Sequence, residues 1–482
     1  MSYHDPVKRL FAGVVILIVG LAGAYGYTIS RQERDYRQLI ARGDAALAKD
    51  DVSAAIESFS GAIALKEHSM LGYLKRGEAY RRRYQLDSGK RDARQVASLD
   101  PAVDSAMRDL RQASELDPLA PRPLELMGDI SYSLGRFDKA AERYEDYIAL
   151  DDRSPRVLYK LALSRYSGGR FEPAVTALQQ AVAIHDQFAE AYYLLGLCFR
   201  DLQRSADSLR ALQTSVHIAP AMLHAREELG DLYGRLGRPE DRIDQLDTLL
   251  RLDPGPSRQV ALGLAHAAAG QFDQAVRTLR QAVERYPDHK YTYVALGRVW
   301  LEKTQPHPDR VDLSKALEAL EEAIGTDNSS EAMTLFGRAL LLTQDVELAE
   351  RVLQQATEKR PADALAFYYL ADAAERRGSA SMARGALLDY RTLEGDSPDA
   401  GRRAALAVRI GDLSMKLRDG GAAVTWYQRA IEADGADASL LVRVADAQLL
   451  SGDRDAARAT VALALERDPL NRAAVVLQRR IK

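Results

Sequence analysis

Apolar positions recur along this chain with a long, fixed period. A small residue is followed by alanine twelve positions later, a bulky apolar residue at sixteen, alanine again at nineteen and often proline at twenty-four. Gly43, Ala55, Phe59 and Ala62 make one instance; Ala162, Ala174, Leu178 and Ala181 another; Gly263, Ala275, Leu279, Ala282 and Pro287 a third. The spacing predicts antiparallel helix pairs. The small residue lies on a first helix and the alanine twelve on in a second, so the two backbones approach closely. Phe59, Tyr144, Leu178, Leu212, Leu279, Leu353 and Tyr427 fill the space between them, and the later alanine admits the first helix of the next pair. Pro118, Pro220, Pro254, Pro287, Pro361 and Pro469 end the pairs, because proline lacks the donor that continues a helix and pushes the preceding residue toward extended backbone.

The small residues of the first helices are Gly43, Gly77, Gly128, Ala162, Gly196, Gly230, Gly263, Gly297, Gly337, Ala371, Gly411 and Ala445, which gives twelve repeats. Seven steps are 34 residues, one is 33, and three are longer, at 51, 40 and 40. The long steps predict insertions near 81–105, 302–315 and 395–402. Period and spacing together resemble the tetratricopeptide repeat over roughly residues 36–469. Two repeats depart from the pattern, with Ser208 and Arg242 standing where the second helix should carry its small residue. Residues 470–482, with Val475, Val476, Leu477 and Ile481 among charged neighbours, read as a capping helix that covers the last repeat and meets water. The expected fold is therefore all-α: a right-handed superhelical solenoid of about twelve helix pairs, with an N-terminal transmembrane helix and a C-terminal cap.

Ahead of the repeats, a tail of residues 1–9 leads into Leu10–Ile29, twenty residues without a charge. As a helix this segment is about 30 Å long, the thickness of a hydrocarbon core. Residues 30–35 read as a linker. Tyr25 and Tyr27 suit the headgroup region at one end. Lys8, Arg9 and the Ala22-Gly23-Ala24 triplet also fit a cleaved export signal. The apolar run continues past that triplet, which favours an uncleaved single-pass anchor. Arg31, Arg34, Arg37 and Arg42 follow the span, and by charge alone they favour a cytoplasmic repeat domain. Large domains translocate largely regardless of charge, and many single-span bacterial repeat proteins place their repeats outside, so the reading favoured here is the bacterial inner membrane with a periplasmic repeat domain. Asparagine occurs only at Asn328 and Asn471 while arginine and alanine abound, as in a high-GC bacterial gene.

At 482 residues the chain is too long for one compact core, and a solenoid needs none because each repeat packs on its neighbours. The net charge of −3 gives no sign of a nucleic-acid binder. The single cysteine, Cys198, lies in the apolar run YYLLGLCF and reads as a buried thiol. The eight histidines are scattered without metal-ligand spacing, His224 and Glu228 read as an exposed polar pair, and no nucleophile elbow, phosphate loop or dinucleotide fingerprint occurs. No cofactor and no small-molecule substrate are expected.

What remains is surface. In the resembled family the first helices line a concave groove that holds partner proteins, and this implies Glu125, Asp129, Tyr132, Tyr159, Tyr166 and Tyr193 as groove candidates. Tyrosine supplies apolar area with a polar tip at little entropic cost. The asparagines with which such domains hold a terminal carboxylate are missing from every first helix, so that mode of binding is not expected. The first insertion is locally basic, with Arg81, Arg82, Arg83, Lys90, Arg91 and Arg94, and is a candidate for anionic headgroups or an acidic partner. The expected function is a non-enzymatic, membrane-anchored scaffold that holds one or more proteins, such as subunits of a membrane complex. The alternatives are a soluble exported adaptor and an enzyme with an unrecognised site.

Overall fold

The computed structural model describes residues 6–88, 100–305, 309–326, 328–395 and 397–481. Among them are twenty-five α-helices and no strand. The chain divides into two compact units, Met1–Leu232 and Tyr233–Lys482, with the boundary inside the helix Leu223–Arg235. Among the described residues, helices adjacent in sequence pack on one another from Pro6–Leu47 to Ser205–Ile218 in the first unit and from Pro239–Leu252 to Arg472–Ile481 in the second.

The small-to-bulky spacing does what the sterics require. A Cβ added at Gly128 would lie 2.5 Å from the Tyr144 ring, at Gly196 2.6 Å from Leu212, at Gly263 2.6 Å from Leu279, and at Gly411 2.5 Å from Tyr427. Any side chain there overlaps the residue that fills the pair. Ala55, Ala174, Ala275, Ala349, Ala383, Ala423 and Ala457, each twelve residues after its small partner, are fully buried. Ser208 fits because its hydroxyl donates to the Gly196 carbonyl at 2.8 Å, so the polar group at a close contact is satisfied. Arg242 packs its guanidinium against Gly234 instead, and its Nε is buried without a partner among the described residues.

The turn inside each pair has its own signature. The residue seven after the small position has positive φ in ten repeats: Asp50, Gly135, Gly169, Gln203, Gly237, Gly270, Gln344, Gly378, Arg418 and Gly452. Glycine is common there because it adopts this backbone without steric cost. The exceptions are the second and eighth repeats, whose insertions lie inside the pair and replace the tight turn. In the second repeat the first helix extends to Met70–Ser88 and the second is Pro101–Leu116. In the eighth, the stretch 302–315 was expected to be a plain loop, but the helix Arg310–Thr326 already takes up its second half. The cause is local, since Asp309 accepts from the backbone N–H of Val311 and Asp312 and caps the helix start. The third insertion falls between repeats and lengthens the first helix of the eleventh to Ala400–Lys416, capped by Asp399.

The expected linker at 30–35 is not a separate element. One helix of 42 residues, Pro6–Leu47, runs from the apolar segment into the first repeat. Nothing in TISRQERDYR breaks a helix, and Glu33 and Arg37 pair four residues apart at 2.7 Å. The docked part begins at once, for Gln32 donates to the Leu65 carbonyl, Glu33 pairs with Lys66, and the hydroxyls of Tyr36 and Ser69 meet at 2.7 Å. The large apolar side chains of the stretch are exposed, with Leu10 at 74% and Leu17 at 64%. It is the one helix among the described residues long and apolar enough to cross a membrane, a test that a signal sequence also passes. At the other end, the helix Arg472–Ile481 buries Ala474, Leu477 and Ile481, whereas Val476, expected on the inner face, is exposed. The three- and four-residue spacing of the buried positions selects the helix face.

Candidate functional site

In the first unit, the sequence candidates gather on the helices Arg122–Ser133, Pro155–Ser167 and Ala189–Asp201. Glu125 does not face an open groove. It is 1% exposed and is held by Arg122 at 2.6 Å, Arg156 at 2.8 Å and Lys160 at 2.7 Å. A carboxylate at this depth needs such neighbours, since an unpaired buried charge is costly. Asp129 accepts from the Tyr144 hydroxyl at 2.7 Å and from Lys160 at 2.7 Å. Lys160 therefore ties two carboxylates of the third repeat to the first helix of the fourth.

The tyrosines are half-buried and occupy equivalent places in successive repeats. The hydroxyls of Tyr132 and Ser167 meet at 3.2 Å, and Tyr166 donates to Asp201 at 2.9 Å. Tyr132 packs on Phe137 at 5.4 Å between centroids, Tyr166 on Phe171 at 5.5 Å, and Tyr159 on Phe188 at 5.2 Å. Burial and the Asp201 carboxylate push the Tyr166 phenol up to about 12. Burial likewise raises Tyr193. Tyr166 and Tyr193 are thereby held neutral at physiological pH.

Arg81 joins Asp129, Tyr132, Tyr144 and Lys160 around a cavity of about 310 Å³. Arg82 pairs with Asp50 at 2.8 Å and Arg83 is exposed. The remaining basic candidates, Lys90, Arg91 and Arg94, lie outside the described residues. The structure thus joins one insertion arginine to the tyrosine face and spends another on a surface pair. The expected pairing of His224 with Glu228 gives way to His224 with Glu227 at 3.4 Å, because Glu228 is taken by Arg200 at 2.9 Å. Cys198 is fully buried, and burial pushes its thiol up to about 12, a poor nucleophile. Among the described residues no group of three or more side chains is arranged to hold a metal ion.

Sequence reasoning missed two features. The third-repeat arrangement recurs in the eleventh, where the Tyr427 hydroxyl donates to Asp412 at 2.7 Å and Arg443 pairs with the same carboxylate. Its signal was present as Gly-Asp, then tyrosine, then a basic residue 31 positions after the aspartate, in both repeats. The second is a cavity of about 710 Å³ in the second unit, lined by Tyr368, Tyr390, Arg403, Trp426 and Arg429 among others.

Glu125 offers a direct test of the polar cluster. Burial raises its pKa, but the hydrogen bond and charge of Lys160, with Arg122, outweigh that and hold the carboxyl below its ordinary value of 4.5. A carboxyl depressed in the folded state stabilises the fold above its unfolded pKa, and that contribution is lost as the pH falls through the lower folded value. Denaturant melts should therefore show Glu125→Gln destabilising the first unit by about 1–3 kcal/mol at neutral pH. The difference from wild type should shrink as the pH drops below about 4.5, and a constant difference would remove the charge as its cause.

The tetratricopeptide repeat family model matches residues 159–222, 260–332 and 334–400. These matches, with the period and the paired helices, make the chain a tetratricopeptide-repeat protein, a class whose repeats serve as scaffolds for protein–protein interaction. Solved structures to which it is similar include MamA, at 24% identity over 32% of this chain and 89% of that one with a TM-score of 0.31. Another is the C-terminal part of a repeat-containing protein from Cytophaga hutchinsonii, at 15% identity over 50% and 98% with a TM-score of 0.41. A third is pilF of Pseudomonas aeruginosa, at 20% identity over 47% and 97% with a TM-score of 0.36. Comparison with curated proteins finds no match.

Proposed function

We propose that this chain is a non-enzymatic scaffold held at the bacterial inner membrane by its first helix, presenting its repeats on the periplasmic side to subunits of a membrane complex. The observation that carries the reading is the continuity of the helix Pro6–Leu47. Its first part exposes uncharged residues from Leu10 through Val19 and on to Ile29, and its last part is the first helix of the first repeat. Only Ser30 and Arg31 separate Ile29 from Gln32, which already bonds the repeat, about 5 Å along a helix. Such an anchor keeps the repeats at the bilayer face and raises the effective concentration of membrane partners.

The tyrosine face of Tyr132, Tyr159, Tyr166 and Tyr193 is the surface on which we place a partner, because these rings combine apolar area with phenolic tips. A photo-crosslinking residue at position 166, used in native membranes, is expected to capture a membrane protein, and the same residue at exposed Glu142, on a second helix, is not. Capture at neither position 166 nor 193 would sink this assignment. N-terminal sequencing of the mature chain separates the anchored form from the exported adaptor, since a start at Tyr25 means the anchor is removed.

A further inference from the structure

The residue nineteen after the small position faces the next repeat: Ala62, Ala181, Ala282, Ala356, Ala430 and Ala464 are fully buried there, and Tyr147, Ser215 and Leu249 are buried at the same place in other repeats. In the tenth repeat this position is Tyr390, and the third insertion follows it directly. Unlike the buried Tyr147 of the third repeat, Tyr390 is half-buried and lines a cavity with the start of the helix Ala400–Lys416. This is the cavity of about 710 Å³, bounded by the starts of the first helices and the ends of the second helices. Residues of the third insertion line it, and it is bounded by second helices as well as by first helices.

Its lining is aromatic and cationic. Five arginines face it against two glutamates. Arg409 is paired with Glu375 at 2.6 Å and Arg402 with Asp399 at 3.5 Å. Arg403, by contrast, donates to the neutral Ser397 carbonyl at 2.6 Å, and Arg429, exposed, lies over the Trp426 ring at 4.5 Å. Among the described residues neither of these two charges is met by a carboxylate. Tyr368 is 36% exposed and stands against Tyr390 at 5.3 Å, leaving ring surface open beside the two arginines. The volume lies within the roughly 300–1,000 Å³ of sites that enclose a compact ligand. Cations that gain from a carboxylate, next to rings that gain from an apolar side chain, define a complementary occupant.

We infer that this pocket binds an acidic peptide segment of a partner protein, seating an apolar side chain against Tyr368 and Trp426 and its carboxylates on Arg403 and Arg429. The inference rests on the scaffold reading and names the chemistry of one partner. The test uses the full chain in detergent micelles and a blocked, fluorescently labelled octapeptide of six glutamates, one leucine and one phenylalanine, with a six-lysine counterpart and inorganic phosphate as comparisons. Wild type is expected to bind the acidic peptide and not the lysine peptide, with a change in Trp426 emission that Trp426→Phe removes. The double variant Arg403→Glu/Arg429→Glu is expected to weaken the acidic peptide at least tenfold and to gain the lysine peptide, a reversal that a merely misfolded chain does not show. Equal binding of the two peptides, a loss of less than twofold in the double variant, or displacement of the peptide by phosphate alone would overturn the inference. In native membranes, photo-crosslinks from position 166 without any from position 368 overturn the pocket and spare the scaffold. Crosslinks from neither remove both.

Discussion

Tyr144→Ala is expected to unfold the third repeat and its immediate neighbours while leaving the second unit intact. Tyr144 is 2% exposed and fills the gap that Gly128 leaves. Removing a buried ring of this size costs about 3–5 kcal/mol through lost transfer energy and the cavity left behind. Gly128 and Ala140 have no side chains long enough to collapse into the space, so relaxation recovers little. The phenol also anchors Asp129 at 2.7 Å, and without it Lys160 alone satisfies that carboxylate. In an array where each repeat contacts only its neighbours, such damage stays local. Hydrogen exchange should therefore rise across roughly 122–184 and remain at wild-type levels beyond residue 260. Equal loosening of all helices would mean that the chain folds as one cooperative body. Tyr144→Phe separates packing from polarity, because it keeps the ring and loses only the hydrogen bond, with an expected cost of about 1 kcal/mol.

The double variant Ile16→Arg/Val19→Arg should abolish membrane retention without disturbing the repeats. Both side chains are exposed, at 72% and 65%, and lie near the middle of the uncharged stretch. An arginine at the centre of an inserted helix costs about 2.5–3.5 kcal/mol, so the pair opposes insertion by about 5–7 kcal/mol. Because neither side chain packs on the repeats, helical content and thermal stability should be unchanged. Carbonate-washed membranes from cells expressing the variant are expected to be depleted of the protein, which should appear in the soluble fraction. Retention in the membrane would show that another part of the chain holds it there, and the continuous helix would lose its assigned role.

Both results follow from features that differ in how far they could be read in advance. The pairing of Gly128 with Tyr144, or of Gly196 with Leu212, was legible because close approach of two helices is a steric demand written at a fixed spacing, whatever surrounds it. The apolar run at 10–29 was legible for a similar reason, since a count of uncharged residues is a length. The linker expected at 30–35 is not a separate element: the local sequence lets the helix run on, and docking of Gln32 and Glu33 onto Leu65 and Lys66, more than thirty residues away, holds that stretch against the first repeat.

The sequence by itself determined the period, the repeat count, the close-packed positions and the place of each insertion, since all of these depend on spacing along the chain. Tertiary structure decided the polar outcome. Glu125 reads as an open groove residue until Arg156 and Lys160 of the next repeat are brought onto it, and Tyr390 reads as one more half-buried ring until Arg403 and Trp426 of the following repeat are found to line a cavity with it. The physical reason is the same in both cases: the burial of a carboxylate or the opening of a cavity is set by residues of the following repeat, and no spacing within a single repeat records them.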